Sequence, residues 1–136
     1  MKPIFFYVIL ILSAFSCKSH EFTDLYGDYL GQTPPGETPV IFAPGMVSDS
    51  FMQHSSTSFS SDGNEVYWAS RKDPKEKIFV SYMKRINNRW TKPQAFEPFP
   101  DSSGCFDPFI TNNGKRLYFA GRGNDADIYY VDREKD

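Results

Sequence analysis

Two cysteines in 136 residues are too few to staple an exported domain with a disulfide framework. Histidine is equally scarce: His20 and His54 stand at no metal-ligand spacing from each other or from a cysteine, which argues against a zinc-type centre. Gly-x-Ser-x-Gly does not occur, so Ser55, Ser56 and Ser58 around His54 read as strand or turn residues rather than as the nucleophile of a hydrolase. An excess of basic residues is missing too, with 15 Lys and Arg against 17 Asp and Glu and a net charge of −2. A phosphate-backbone footprint needs a clustered cationic face, and the pairs Arg71-Lys72 and Lys84-Arg85 are short enough to be solvated strand ends. These absences predict a protein with no catalytic residue, no metal, no cofactor and no nucleic-acid partner.

No apolar run reaches the roughly 20 residues that a membrane-spanning helix requires. The longest, residues 4–15 (IFFYVILILSAF), has twelve and follows Lys2. That length suits the core of a signal peptide, which needs roughly 7–15 apolar residues followed by small ones. Ser13-Ala14-Phe15-Ser16-Cys17 comes next and resembles a bacterial lipobox, with small Ser16 before the cut and the Cys17 thiol as acceptor of the lipid anchor. Residues 1–16 are accordingly read as a lipoprotein signal peptide and Cys17 as the lipidation site, facing the periplasm or the cell surface. Ala14 replaces the usual leucine three residues before the cysteine, which leaves ordinary secretory cleavage and an uncleaved anchor as alternatives. Removing residues 1–16 takes away Lys2 and no acid, leaving 14 basic against 17 acidic residues and a net charge of −3.

With Cys17 acylated, Cys105 has no partner and reads as a small, half-buried hydrophobe. Residues 17–50 are rich in Pro, Gly, Ser and Thr around Gly31-Gln32-Thr33-Pro34-Pro35-Gly36, which predicts a tether and an extended lead-in to the folded part. Within it, Val40-Ile41-Phe42-Ala43 is a short β-prone run ended by Pro44-Gly45 and is expected as an edge strand.

The remainder, residues 51–136, contains an internal repeat. Phe59-Ser60-Ser61-Asp62-Gly63-Asn64-Glu65-Val66-Tyr67-Trp68-Ala69-Ser70-Arg71 aligns with Ile110-Thr111-Asn112-Asn113-Gly114-Lys115-Arg116-Leu117-Tyr118-Phe119-Ala120-Gly121-Arg122, 51 positions later. Ile78-Phe79-Val80-Ser81-Tyr82 then corresponds to Ile128-Tyr129-Tyr130-Val131-Asp132 at a separation of 50. Each copy runs strand, Asp-Gly or Asn-Gly, strand, which predicts antiparallel hairpins closed by type I′ turns. A third strand is expected over residues 77–83 and a fourth at Arg89-Trp90-Thr91-Lys92-Pro93 after the Asn87-Asn88 turn. Four antiparallel strands in about 50 residues is the pattern of a propeller blade.

The residues resemble the WD-like or TolB-like (PD-type) propeller repeats of bacterial exported proteins over about residues 54–132. Asp107-Pro108-Phe109 with Gly114-Lys115-Arg116-Leu117-Tyr118-Phe119 follows that motif, whereas the first copy has Ser56-Thr57-Ser58 in place of Asp-Pro-x. The resemblance implies an all-β, partial β-propeller of one full blade plus most of a second. It also implies that Phe59, Trp68, Phe109 and Phe119 fill the gaps between blades, with Tyr67 and Tyr118 on the opposite strand faces. A closed ring typically needs about 4–8 blades, so the expectation is either a truncated copy of a longer lipoprotein or an incomplete propeller whose open edges self-associate. Gly121-Arg122-Gly123-Asn124-Asp125-Ala126-Asp127 gathers glycines and carboxylates, but lacks the further ligands of a calcium loop and reads as a solvated turn. The functional expectation is a lipid-anchored envelope scaffold that binds a protein, peptide or glycan. The alternative is the propeller portion of a larger exported hydrolase or peptidase.

Overall fold

The computed structural model of the chain describes residues 22–50, 52–53, 57–101, 103–122 and 126–133. After one turn at Asp28–Gly31, left-handed at Tyr29 and Leu30 (φ +50° and +58°), every element among the described residues is a strand. β1 (Met52–Gln53) and β2 (Ser58–Phe59) both pair with β3 (Glu65–Arg71), and β3 pairs with β4 (Phe79–Ile86). β5 (Arg89–Trp90) and β6 (Gln94–Phe96) pair with β4 in turn and complete the first sheet. β7 (Cys105–Ile110), β8 (Arg116–Arg122) and β9 (Ala126–Asp132) form the second, and every pairing in both sheets is antiparallel.

The chain is therefore all-β, and the two repeats match at atomic detail in their turns. In the first, Ser60 Oγ donates to Asp62 Oδ1 (2.6 Å), while the amides of Asn64 and Glu65 donate to Asp62 Oδ1 and Ser60 Oγ (3.0 and 2.9 Å). In the second, Thr111 Oγ1 donates to Asn113 Oδ1 (2.8 Å), and the amides of Lys115 and Arg116 donate to Asn113 Oδ1 and Thr111 Oγ1 (3.1 Å each). The turn type differs from the expectation. A type I′ turn needs positive φ at both central residues, yet here only the glycines have it, Gly63 and Gly114 at +69° each. Their amides close onto the carbonyls of Ser60 and Thr111 (2.9 and 2.8 Å), which makes each a tight turn followed by a left-handed glycine. The I′ dihedrals occur instead at Asn87 and Asn88, φ +50° and +66°, between β4 and β5.

Register corrects the alignment of the third strands. Tyr67 pairs with Tyr82 and Trp68 with Ser81, whereas Tyr118 pairs with Tyr130 and Phe119 with Tyr129. Tyr82 thus corresponds to Tyr130 and Val80 to Ile128, an offset of 48 rather than 50, because the β8–β9 connection is shorter than the sequence match suggested. The fourth strand is also displaced. Residues 89–93 yield only the two-residue β5, and the strand proper is β6, whose register is Val80↔Phe96, Ser81↔Ala95 and Tyr82↔Gln94.

Two cores follow from the period-2 alternation of β3. Tyr67 and Ala69 on one face meet Val80, Cys105, Ile110, Leu117 and Phe119 in the layer between the sheets. Val66 and Trp68 on the other join Met83 and Trp90 under Leu30, Ala43 and Val47. Residues 22–50 therefore do not act as an extended linker. The Trp90 indole N–H donates to Gly27 O (2.7 Å), the Trp90 amide to Leu25 O (2.9 Å), and Asp24 pairs with Arg89 at 2.6 Å. Asp28 pairs with Arg85 beside them. Val40 to Ala43 is no strand: the Gln32 side chain bonds the Ala43 amide (2.7 Å) and the Ile41 carbonyl (2.9 Å), and Ala43 turns left-handed at φ +43°. Proline and glycine there shape a packed loop, and the apolar run supplies Ala43 to the core instead of an edge to the sheet.

Candidate functional site

The sheets stack in sequence order, and that order decides which surface is left open. The Tyr67 face of the first sheet lies against the Leu117 and Phe119 face of the second. The second sheet's far face, carrying Tyr118, Ile128 and Tyr130, corresponds by register to the Tyr67, Val80 and Tyr82 face of the first. Val80 is fully buried, yet its counterpart Ile128 is 72% exposed, and Tyr130 and Phe109 are 57% exposed. Of the four aromatics that the resemblance placed between sheets only Phe119 lies there: Phe109 is exposed, and Trp68, buried, and Phe59, half-buried, pack on the opposite face of the first sheet against residues 22–47.

The open face is an ordered aromatic surface. Tyr118 and Tyr130 sit with ring centroids 5.7 Å apart, mirroring the stacked Tyr67–Tyr82 pair at 5.3 Å. The Arg116 guanidinium lies over the Tyr130 ring at 4.5 Å and bonds Asp132 at 2.7 Å. Its partners, the Asp132 carboxylate first, push the Arg116 pKa further upward, so it stays charged at any working pH. In the first sheet the equivalent tyrosine is covered by Arg133, which lies 5.8 Å from the Tyr67 ring and pairs with Glu65. Arg133 also donates to Gly114 O (2.9 Å), and its amide to Lys115 O (2.8 Å), so the residue after β9 is held by the β7–β8 turn as well as by Glu65 of the first sheet. Burial, ahead of the opposing field of Arg133, pushes the Tyr67 hydroxyl up to about 12.

No known family model, curated protein or solved structure matches the chain.

A second concavity lies where the β3–β4 connection meets the start of β7, a cleft of about 320 Å³ lined by Arg71, Lys75, Glu76, Lys77 and Gly104 among others. Gly104 lies against the Ile78 carbonyl, where a Cβ would come within 2.7 Å, and the adjoining Cys105 amide bonds that carbonyl at 3.0 Å. Cys105 itself is buried, its thiol pKa raised chiefly by desolvation, and its Sγ faces Phe96 O at 3.6 Å. A buried, neutral thiol is a packing group and a poor nucleophile.

Cys17, residues 1–16, His20, His54, Ser55, Ser56 and Asp125 lie outside the described residues. Ser58 is within them and accepts a hydrogen bond from the Ile110 amide (3.1 Å), tying β2 to β7. Asp127 is exposed on β9. Among the described residues no group of three or more His, Cys, Asp and Glu is placed to hold a metal, and no helix is long and apolar enough to cross a membrane. The open face escaped the sequence reading because aromatics that alternate along a strand look alike whether both faces are covered or one is not.

Proposed function

We propose that the chain is a lipid-anchored protein of the bacterial cell envelope, a non-catalytic binding scaffold built on TolB-like repeats, and that the outer face of the second sheet is its recognition surface. A protein, peptide or glycan of the envelope docks there. The observation that carries this reading is the contrast between equivalent positions: the face that is sealed in the first repeat is open and aromatic in the second, its Tyr118 and Tyr130 rings in contact. Exposed aromatics held by their neighbours bind at low entropic cost, because little rotamer freedom is left to lose. The apolar segment at residues 4–15 and the Ser16-Cys17 pair support the anchored location.

The test is site-directed photo-cross-linking in cells. A photoreactive residue replacing Tyr130 is expected to give defined adducts, identified by mass spectrometry. The same residue replacing Ile86, which is 59% exposed on the first sheet, gives none. Equal labelling from both positions contradicts a recognition surface at the second sheet.

A further inference from the structure

The two sheets differ in one strand. In the first, β4 has β3 on one side and β6 on the other; in the second, β9 has β8 on one side, and among the described residues no strand pairs with the other. β9 runs for seven residues, so its free side offers a row of backbone donors and acceptors directly beside Tyr118, Ile128 and Tyr130. An unpaired strand edge next to an apolar face is the geometry that an extended peptide completes by adding a strand.

The first repeat shows what chemistry fits. Gln94 lies opposite Tyr82 and accepts its hydroxyl hydrogen bond at 2.7 Å; Ala95, opposite Ser81, is small; Phe96 lies opposite Val80 and sets its ring edge-to-face on Tyr67 at 6.2 Å. Transferred by the observed register, those positions become Tyr130, Tyr129 and Ile128, with Tyr118 in place of Tyr67. The hydroxyl of Tyr130 would meet an amide, and Ile128 and Tyr118 would be covered by an aromatic ring. Pro93 and Pro98 flank the Gln94–Phe96 strand and confine its pairing to three residues, since proline has no donor to give the ladder.

From this we infer that the free side of β9 is a docking site for an extended peptide segment of a partner protein, bound antiparallel and carrying an amide side chain, a small residue and an aromatic in succession. The inference rests on the proposed recognition face and names the ligand class it takes. Main-chain pairing gives direction and register, and the ring seated on Tyr118 and Ile128 gives selectivity. A second copy of this chain is the less suitable occupant. Its own matching strand, β6, is already paired with β4, and its matching sheet face lies beneath residues 22–47.

The experiment uses the full chain and a synthetic peptide of residues 92–98, Lys-Pro-Gln-Ala-Phe-Glu-Pro, followed by NMR amide exchange. Saturating peptide is expected to slow exchange of β9 amides at least about tenfold, which is about the net worth of one added hydrogen bond. Replacing the peptide phenylalanine by alanine (Phe96→Ala), or using Tyr130→Ala protein, is expected to abolish the protection. Tyr130 is exposed, so that variant keeps its fold, and the altered peptide leaves the protein untouched. Protection on β4 instead of β9, equal protection by a scrambled peptide, or concentration-dependent β9 protection without peptide overturns the inference, the last by assigning the edge to a second copy. If the peptide fails while position 130 still cross-links a partner, the edge site falls and the recognition face stands; if both fail, the face itself is refuted.

Discussion

Trp90 shows how one side chain fixes a boundary that composition hides. It is 1% exposed, its indole N–H and its amide are both held by residues 25–27, and Arg85 lies 5.7 Å from its ring. Trp90→Ala is expected to cost about 3–5 kcal/mol, the usual penalty for deleting a buried aromatic, read as a lowered urea midpoint at unchanged slope. Tyr67 makes a second prediction. Its hydroxyl is pushed from 10.0 up to about 12, first by burial, so the folded state favours the neutral phenol. The stability this contributes is complete below pH about 10 and is lost as pH rises through about 12. Absorbance titration is expected to show a tyrosine ionising near pH 12, and Tyr67→Phe removes that step.

At the scale of elements, hairpin grammar was legible because a glycine after Asp or Asn between β-prone runs has few other uses. β2, β3, β7 and β8 fall where Phe59, Val66 to Arg71, Ile110 and Leu117 to Arg122 placed them. The turn type was not legible, because Asp-Gly serves a type I′ turn and a turn with a following left-handed glycine equally well. The alignment of third strands failed for a related reason. Residues 128–131 (Ile-Tyr-Tyr-Val) put one aliphatic and one aromatic group on each face of the strand, and a shift of two residues keeps every side chain on its own face, so the pattern does not fix the register. Glycines separate two kinds of cost here. Gly63→Ala meets nothing within 4 Å and is expected to lose about 1 kcal/mol from its positive φ alone. Gly104→Ala drives a Cβ to 2.7 Å from the Ile78 carbonyl and is expected to lose about 1–3 kcal/mol, as overpacking does. Thermal denaturation of the pair checks the order.

At the scale of the whole molecule, the fold is a stack: residues 22–47, the first sheet, the second sheet, and then an open face. Pro, Gly, Ser and Thr in the first layer suggested a tether because composition reports backbone preference and says nothing of tertiary partners. A chain lacking residues 1–50 uncovers Val66, Trp68, Met83 and Trp90 together, and is expected to aggregate where residues 18–136 stay soluble, as light scattering would show. Anchoring is checked apart from folding: with the proposed lipid anchor, wild type is expected to incorporate labelled palmitate and Cys17→Ala is not, and equal labelling of the two contradicts lipidation at Cys17. The central claim is that equivalent positions in the two repeats have opposite surroundings, sealed in the first sheet and open in the second. Its most direct test compares the urea unfolding free energies of Val80→Lys and Ile128→Lys, the same charge placed at two positions related by the repeat. The fully buried Val80 site is expected to lose more than about 3 kcal/mol. The 72% exposed Ile128 site is expected to lose no more than about 0.5 kcal/mol. Comparable losses at both positions would mean that the outer face of the second sheet is covered and that the stack does not end there.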